Sequence, residues 1–160
     1  MKVESLVIGG GVVGLAIAAK LSDAGHEVVV LEKGLRLGEE SSTRNSGVIH
    51  AGIYYNKGSL KSRLCIRGKE LLYEFCNKYS VKYDRIGKLF IAVSDDEISR
   101  IEIINRNAIE NGLMDLIELD SKQLIKVEPL IRGKSALLSP STGIIDSHGL
   151  MKSLMNLNDS

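Results

Sequence analysis

The sequence predicts an α/β fold that opens with a βαβ unit and continues as α+β, and three observations predict it. A mostly apolar, β-branched run, Val3 to Ile8, enters the turn Gly9-x-Gly11-x-x-Gly14. A segment of good helix formers, Val12 to Ala24, follows and stops at Gly25. A second β-rich run, Glu27 to Leu31, ends on the acid Glu32. This order is that of a Rossmann-like dinucleotide site.

Each residue type in the turn has a physical reason. Gly9 lets the chain turn sharply, Gly11 lets the backbone approach a pyrophosphate, and Gly14 lets helix and strand pack closely. The helix N-terminus at Val12 and Val13 offers N–H groups and a partial positive charge to phosphates. Glu32 is placed to accept hydrogen bonds from ribose hydroxyls, with Lys33 beside it. An ordinary βαβ unit with a surface acid would explain the glycines alone, but not the whole strand–turn–helix–strand–acid order. The turn serves NAD and FAD equally, since both carry the same ADP half.

Residues 33–58 form a long segment rich in Gly, Ser, Asn and charge. Connections of this length within a compact domain are usually functional. Helical spacing of Leu60, Leu64, Leu71, Leu72, Phe75 and Cys76 predicts a helix over 59–79. Val81–Tyr83 and Gly87–Val93 read as strands. Ser94 and Glu97 form a capping box for a helix through Ile98, Ile101, Ile104 and Ile109 that stops at Asn111-Gly112. A short strand, Leu116–Leu119, precedes a short helix capped by Asp120 and Gln123 and ended by Glu128-Pro129. Ser135–Ser139 and Gly143–Asp146 read as a β-hairpin around Pro140-Ser141-Thr142, and a last helix runs from Ser147 to Ser160.

The composition is that of an ordinary globular protein, 44% hydrophobic and 26% charged. A net charge of +1 without a dense basic block argues against a nucleic-acid partner. No signal peptide precedes the first strand and no apolar run reaches a membrane span, so the expected location is cytoplasmic. Cys65 and Cys76 lie eleven residues apart in one predicted helix, about 16 Å along its axis. A disulfide needs Cα atoms within about 7 Å, so these are read as buried thiols. No HExxH, GxSxG or P-loop pattern occurs, and no metal site is expected.

The stretch Ser42-Thr43-Arg44-Asn45-Ser46-Gly47-Val48-Ile49-His50-Ala51-Gly52-Ile53-Tyr54-Tyr55 resembles the FAD-dependent oxidoreductases of the D-amino-acid oxidase superfamily, most of all their L-2-hydroxyglutarate dehydrogenase/oxidase branch. Gly58-Ser59-Leu60-Lys61, Gly87-Lys88-Leu89, Glu128-Pro129 and Thr142-Gly143-Ile144-Ile145-Asp146 continue the resemblance in order. It implies FAD rather than NAD. It also implies that the Ser41–Gly47 loop, with Thr43, Arg44, Asn45, Ser46 and Gly47, wraps the pyrophosphate. Hydroxyls, an amide and backbone N–H groups are the donors a diphosphate needs, and Arg44 adds a charge-assisted bond. The implied reaction is oxidation of a small 2-hydroxy acid, with oxygen or a quinone chain as electron acceptor. An amino-acid or amine oxidase is the alternative.

His50 is the candidate catalytic residue. A histidine there either holds a substrate carboxylate or takes the hydroxyl proton; a packing histidine beside the flavin is the competing reading. Tyr54 and Tyr55 either bond substrate or close the pocket. His26 and His148 read as surface residues, and Asp95-Asp96-Glu97 as helix-start electrostatics. The expected domains are the first part of an FAD-binding domain over 1–80 and a partial α+β substrate domain over 81–160. No third parallel strand is found after Glu32. The chain is therefore expected to be an incomplete, inactive first part of an interleaved protein, and any peripheral membrane contact is expected in the missing part.

Overall fold

A computed structural model describes residues 2–157. Their elements in order are β1 (Ser5–Ile8), α1 (Val12–Asp23), β2 (Val28–Leu31), β3 (Val48–Ile49), α2 (Leu60–Tyr79), β4 (Tyr83–Asp84), β5 (Lys88–Ala92), α3 (Asp95–Glu110), β6 (Ile117–Asp120), α4 (Ser121–Val127), β7 (Ser135–Ser139), β8 (Gly143–Ile145) and α5 (Ser147–Asn156). The predicted extension of the last helix to Ser160 falls partly outside the described residues. The chain divides into two compact units. The first comprises the residues up to Gly47, Phe75–Tyr83 and those from Ile145 on; the second comprises Val48–Glu74 and Asp84–Ile144. Compactness thus does not divide the chain by the single cut at residue 80 drawn from sequence. The reason is physical: α2 is one continuous helix whose two ends belong to different units, and α5 returns to pack on α1.

In the first unit, β1 and β2 pair in parallel, from Ser5 opposite Val28 to Ile8 opposite Leu31. α1 connects them as the crossover that a parallel pair requires. It ends at Ala24, and Gly25 takes φ +87°, a conformation glycine adopts without a Cβ penalty. α1 buries Leu15, Ala18 and Ala19, and α5 buries Leu150, Met151 and Leu154. Asp146 caps α5 by accepting from the His148 and Gly149 N–H groups at 3.1 and 3.0 Å. The opposite face of the β1–β2 pair is bare among the described residues: Ile8 is 83% exposed, and Leu6 and Leu31 are half exposed.

The second unit is built on the antiparallel sheet β5-β7-β6, in which Phe90 faces Leu137 and Leu119 faces Ala136. α3 packs on β5 and β7, and α4 on β6 and β7. Between α3 and the sheet lie Ala92, Ile101 and Leu137, with Phe90, Ile98 and Ile104 packed against them. Leu119, Leu124 and Ala136 form the core under α4. Both predicted capping pairs form. Glu97 Oε2 accepts from the Val93 and Ser94 N–H groups at 2.7 and 3.4 Å, and Asp120 Oδ1 accepts from Gln123 N at 2.8 Å while Gln123 Oε1 accepts from Asp120 N. Losing such a cap costs about 1 kcal/mol. Asp120→Ala should lower unfolding stability by about that amount in urea denaturation followed by circular dichroism.

The predicted hairpin of β7 and β8 does not form. The turn is present, with Thr142 N–H bonded to Ser139 O at 3.3 Å. β7, however, is the central strand of its sheet, with β5 on one edge and β6 on the other, so no edge is left for β8. β8 joins a separate sheet of order β3-β8-β4 instead, pairing Ile144 with Val48 and Gly143 with Ile49. A buried hydrogen bond between the Ser139 and Thr142 hydroxyls, 2.9 Å, fixes the corner between the two sheets.

Candidate functional site

The turn between β1 and α1 is built from constraints that glycine alone meets. Gly9 takes φ +108°, and its N–H bonds to Leu31 O at 2.7 Å, fastening the turn to the end of β2. A Cβ on Gly14 would fall on the carbonyl oxygen of Gly9. α1 therefore starts so close to the turn that no side chain fits between them. Gly11 occupies the N-cap position of α1 and has no side chain to cap it. The hydroxyl of Ser42, thirty residues on, does so instead, accepting from Val12 N–H at 3.0 Å.

Glu32 closes the other side. Its Oε1 accepts from Gly34 N–H at 2.8 Å and its Oε2 from Gly10 N–H at 2.7 Å. Those two bonds, Gly34's first, hold its carboxyl below the ordinary glutamate range, so it is an anion at neutral pH. Around these groups lies a cavity of about 220 Å³ with apolar walls from Ile8 and Leu31 and a polar lining that includes Gly9, Gly11, Glu32 and Ser42. A glycine floor without Cβ atoms, a helix N-terminus, a hydroxyl and a fixed carboxylate suit the adenosine-diphosphate end of a dinucleotide.

Among the candidates from sequence, Gly9, Gly11, Glu32 and Lys33 line this cavity, and Gly14 lies behind it as the packing contact. Val12 contributes its N–H to Ser42, while the Val13 side chain is exposed. Lys33 is exposed and ion-paired with Glu40 at 3.2 Å. The segment from Thr43 to Gly47 does not contribute to the wall, and its polar groups shape the loop itself. Thr43 Oγ1 donates to Gly38 O at 2.8 Å; Asn45 Nδ2 donates to Ser42 O at 2.8 Å, and Asn45 Oδ1 accepts from Gly47 N–H at 2.7 Å. Gly47, at φ +66°, passes so close to Ile145 O that a Cβ would sit 2.6 Å from it. Arg44 and Ser46 are exposed. Sequence reasoning missed Ser42 as an individual residue, although its segment was marked. The signal was available: a helix whose N-cap is glycine needs its cap from elsewhere.

His50 belongs to the second unit, directly after β3. Ile49, Ala51, Gly52 and Ile53 around it are buried, and His50 is the exposed member of that run. It is therefore not a core histidine. Tyr54 is half exposed, and Tyr55 is mostly buried, its hydroxyl pushed above the ordinary tyrosine range by burial and then by Cys65. His26 is exposed with Nδ1 3.5 Å from Glu4, and His148 is exposed in the first turn of α5. Asp95 pairs with Lys134 at 2.7 Å. Cys65 and Cys76 are both free. Among the described residues no group of three or more His, Cys, Asp or Glu is placed to hold a metal, and no helix is long and apolar enough to cross a membrane.

Comparison with known proteins adds to this geometry. The family described as "FAD dependent oxidoreductase" (DAO) matches residues 4–158. The chain is 43% identical over 154 residues to the mitochondrial L-2-hydroxyglutarate dehydrogenase of Arabidopsis thaliana, covering 96% of this chain and 32% of that protein. It is 41% identical to the Homo sapiens enzyme of the same name, covering 89% of this chain and 31% of that one. The chain thus spans about a third of the length of these relatives. Among solved structures, an L-α-glycerophosphate oxidase from Mycoplasma pneumoniae with FAD bound superposes with a TM-score of 0.90 at 30% identity, over 98% of this chain and 42% of that one. An L-proline dehydrogenase from P. horikoshii superposes with a TM-score of 0.83 at 25% identity, over 99% and 42%.

Proposed function

Because this chain belongs to the DAO family of FAD dependent oxidoreductases, we propose that its first unit holds the ADP end of FAD in a protein that oxidises a small 2-hydroxy acid, L-2-hydroxyglutarate above others, to the 2-oxo acid. One observation carries the choice of substrate class: identity of 41–43% to L-2-hydroxyglutarate dehydrogenases along nearly the whole chain. The amine-acting proline dehydrogenase resembles it at only 25%. The activity is proposed for a protein of full family length, since the chain spans a third of those relatives. The bare apolar face of β1 and β2 supports that assignment, because soluble domains seldom leave such a patch uncovered.

In this reading the residues divide the work. Gly9, Gly11 and the start of α1 receive the pyrophosphate, and Glu32 takes the ribose hydroxyls. Ser42 keeps the helix N-terminus and the following loop in register. Bound flavin supplies the two-electron acceptor; oxygen or a quinone chain reoxidises it. His50 holds the substrate carboxylate or accepts the hydroxyl proton, roles open to an exposed imidazole at the edge of a rigid, buried run.

Steady-state assays of the full-length protein on L-2-hydroxyglutarate and on amino acids test the reading. Turnover of amino acids without turnover of any 2-hydroxy acid would overturn it. His50→Ala should lower kcat about a hundredfold or more while flavin content stays at the wild-type level. Loss of flavin with kcat per bound flavin unchanged would instead make His50 a packing residue.

A further inference from the structure

Between Glu40 and Glu70 the sequence holds no carboxylate, yet Arg44, Lys57, Lys61, Arg63, Arg67 and Lys69 all lie there. Several of these cations are engaged. Lys57 meets Glu110 at 3.0 Å, Arg67 meets Glu70 at 3.0 Å, and Lys69 Nζ donates to Ser141 Oγ at 2.8 Å. Lys61 is held differently: its ammonium sits 4.6 Å from the centroid of the Tyr55 ring. Lys88, at the start of β5, repeats the arrangement, 5.2 Å from the Tyr54 ring and 4.8 Å from Phe90. The two stations are continuous, since Tyr54 contacts Tyr55 with centroids 5.3 Å apart and Phe90 edge-on at 6.1 Å. Among the described residues, neither Lys61 nor Lys88 has a carboxylate within ion-pair distance.

A ring face attracts an ammonium group and restrains its stem, but it leaves the N–H donors free. Two such cations without a carboxylate partner, linked through touching rings, keep donors available for an anion. The platform beneath them is fixed. Asn111 Nδ2 donates to Tyr55 O at 2.9 Å, and Asn111 Oδ1 accepts from Gly58 N–H at 3.3 Å, clipping the loop to the end of α3. His50 stands four residues before Tyr54, at most about 14 Å of extended chain, and the turn at residues 53–54 shortens that reach.

We propose that Lys61 and Lys88, carried on the Tyr54–Tyr55–Phe90 platform, form a subsite for a carboxylate of a small dicarboxylic acid, at the end of the substrate remote from the reacting carbon. The inference rests on the hydroxy-acid reading above and deepens it, because it makes the protein selective for two carboxylates over one. A five-carbon monocarboxylic acid offers nothing to this subsite.

The test uses the flavin-loaded full-length protein and two readouts. Calorimetric titration with glutarate and with pentanoate reads the subsite without any turnover. The kcat/KM for L-2-hydroxyglutarate and for L-2-hydroxypentanoate reads it during catalysis. Lys61→Met and Lys88→Met should each weaken glutarate binding about tenfold or more and raise the KM for L-2-hydroxyglutarate to match, leaving pentanoate and L-2-hydroxypentanoate unmoved. Lys88→Arg should restore most of the loss. Glutarate binding unchanged in both methionine variants, or equal losses for the one- and two-carboxylate ligands, would overturn the proposal. Selective glutarate binding that depends on both lysines, in a protein that oxidises no 2-hydroxy acid, would uphold the subsite and overturn the substrate reading alone.

Discussion

Gly14→Ala is expected to give a full-length protein that purifies without flavin and melts well below the wild type. The added methyl group would fall on the carbonyl oxygen of Gly9, and a backbone atom cannot swing aside as a flexible side chain can. α1 must therefore retreat from the turn. Overpacking of this kind costs about 1–3 kcal/mol, and here the strain sits in the cofactor cradle itself. Gly9→Ala makes an informative companion. Nothing lies within 4 Å of a Cβ there, but the residue must keep φ +108°. Its penalty is conformational, on the order of 1–2 kcal/mol, and the geometry of α1 is retained. The Gly14 variant should accordingly lose flavin absorbance after desalting, and the Gly9 variant should lose it only in part. Equal retention by both would mean that the approach of helix to turn is not what shapes the cradle.

Glu32→Ala is expected to weaken flavin binding about tenfold to a hundredfold, and also to loosen the turn itself. The second effect follows from the structure, because both carboxylate oxygens already hold backbone N–H groups, of Gly34 and Gly10. Glu32→Gln separates the two roles, since an amide keeps one acceptor and the shape but not the charge. The pH dependence has a definite sign. The folded-state carboxyl is held below its ordinary value, so its contribution is fully present above that value and disappears as pH falls through the lowered one. Thermal melts between about pH 6 and pH 3 should therefore fall more steeply for the wild type than for Glu32→Gln. Parallel curves would show that the clamp adds nothing to folding.

Much of the first unit was legible because its determinants are local. Gly9, Gly11, Gly14 and Glu32 lie within one strand–helix–strand span, and each answers to a steric or hydrogen-bonding need that spacing reveals. The capping pairs Ser94–Glu97 and Asp120–Gln123 were legible for the same reason. What failed to read out depended on partners distant in the chain. The Pro140–Thr142 turn announces itself, but whether β7 and β8 then pair is decided by β5 and β6, which occupy both edges of β7. Ser42 acts on a helix thirty residues away; the glycine N-cap signals that a cap must come from elsewhere, but spacing does not say which residue supplies it. Arg44 and Asn45 were marked because the family resemblance implies that their loop wraps the pyrophosphate, a role their chemistry allows. Asn45 proves to staple its own loop, a common use of a short amide side chain that composition does not separate from ligand binding.

The return of α5 to α1 constrains how the molecule is made on a ribosome. The first strand–helix–strand leaves the exit tunnel early, but Leu15, Ala18 and Ala19 belong to a helix that packs against Ser147–Asn156, synthesised more than a hundred residues later. At about 5–20 residues per second the nascent chain waits roughly 6–26 s before α5 exists for α1 to pack on. Gly38 waits too, since a Cβ there would run into the Met151 side chain of α5. The sheet β5-β7-β6 closes over a much shorter stretch, Lys88 to Ser139, so the part made second is the part able to mature first. The packing of α1 is then completed from the C-terminal side, and a holdase chaperone that covers α1 during synthesis should raise the yield of folded protein more than one that acts after release.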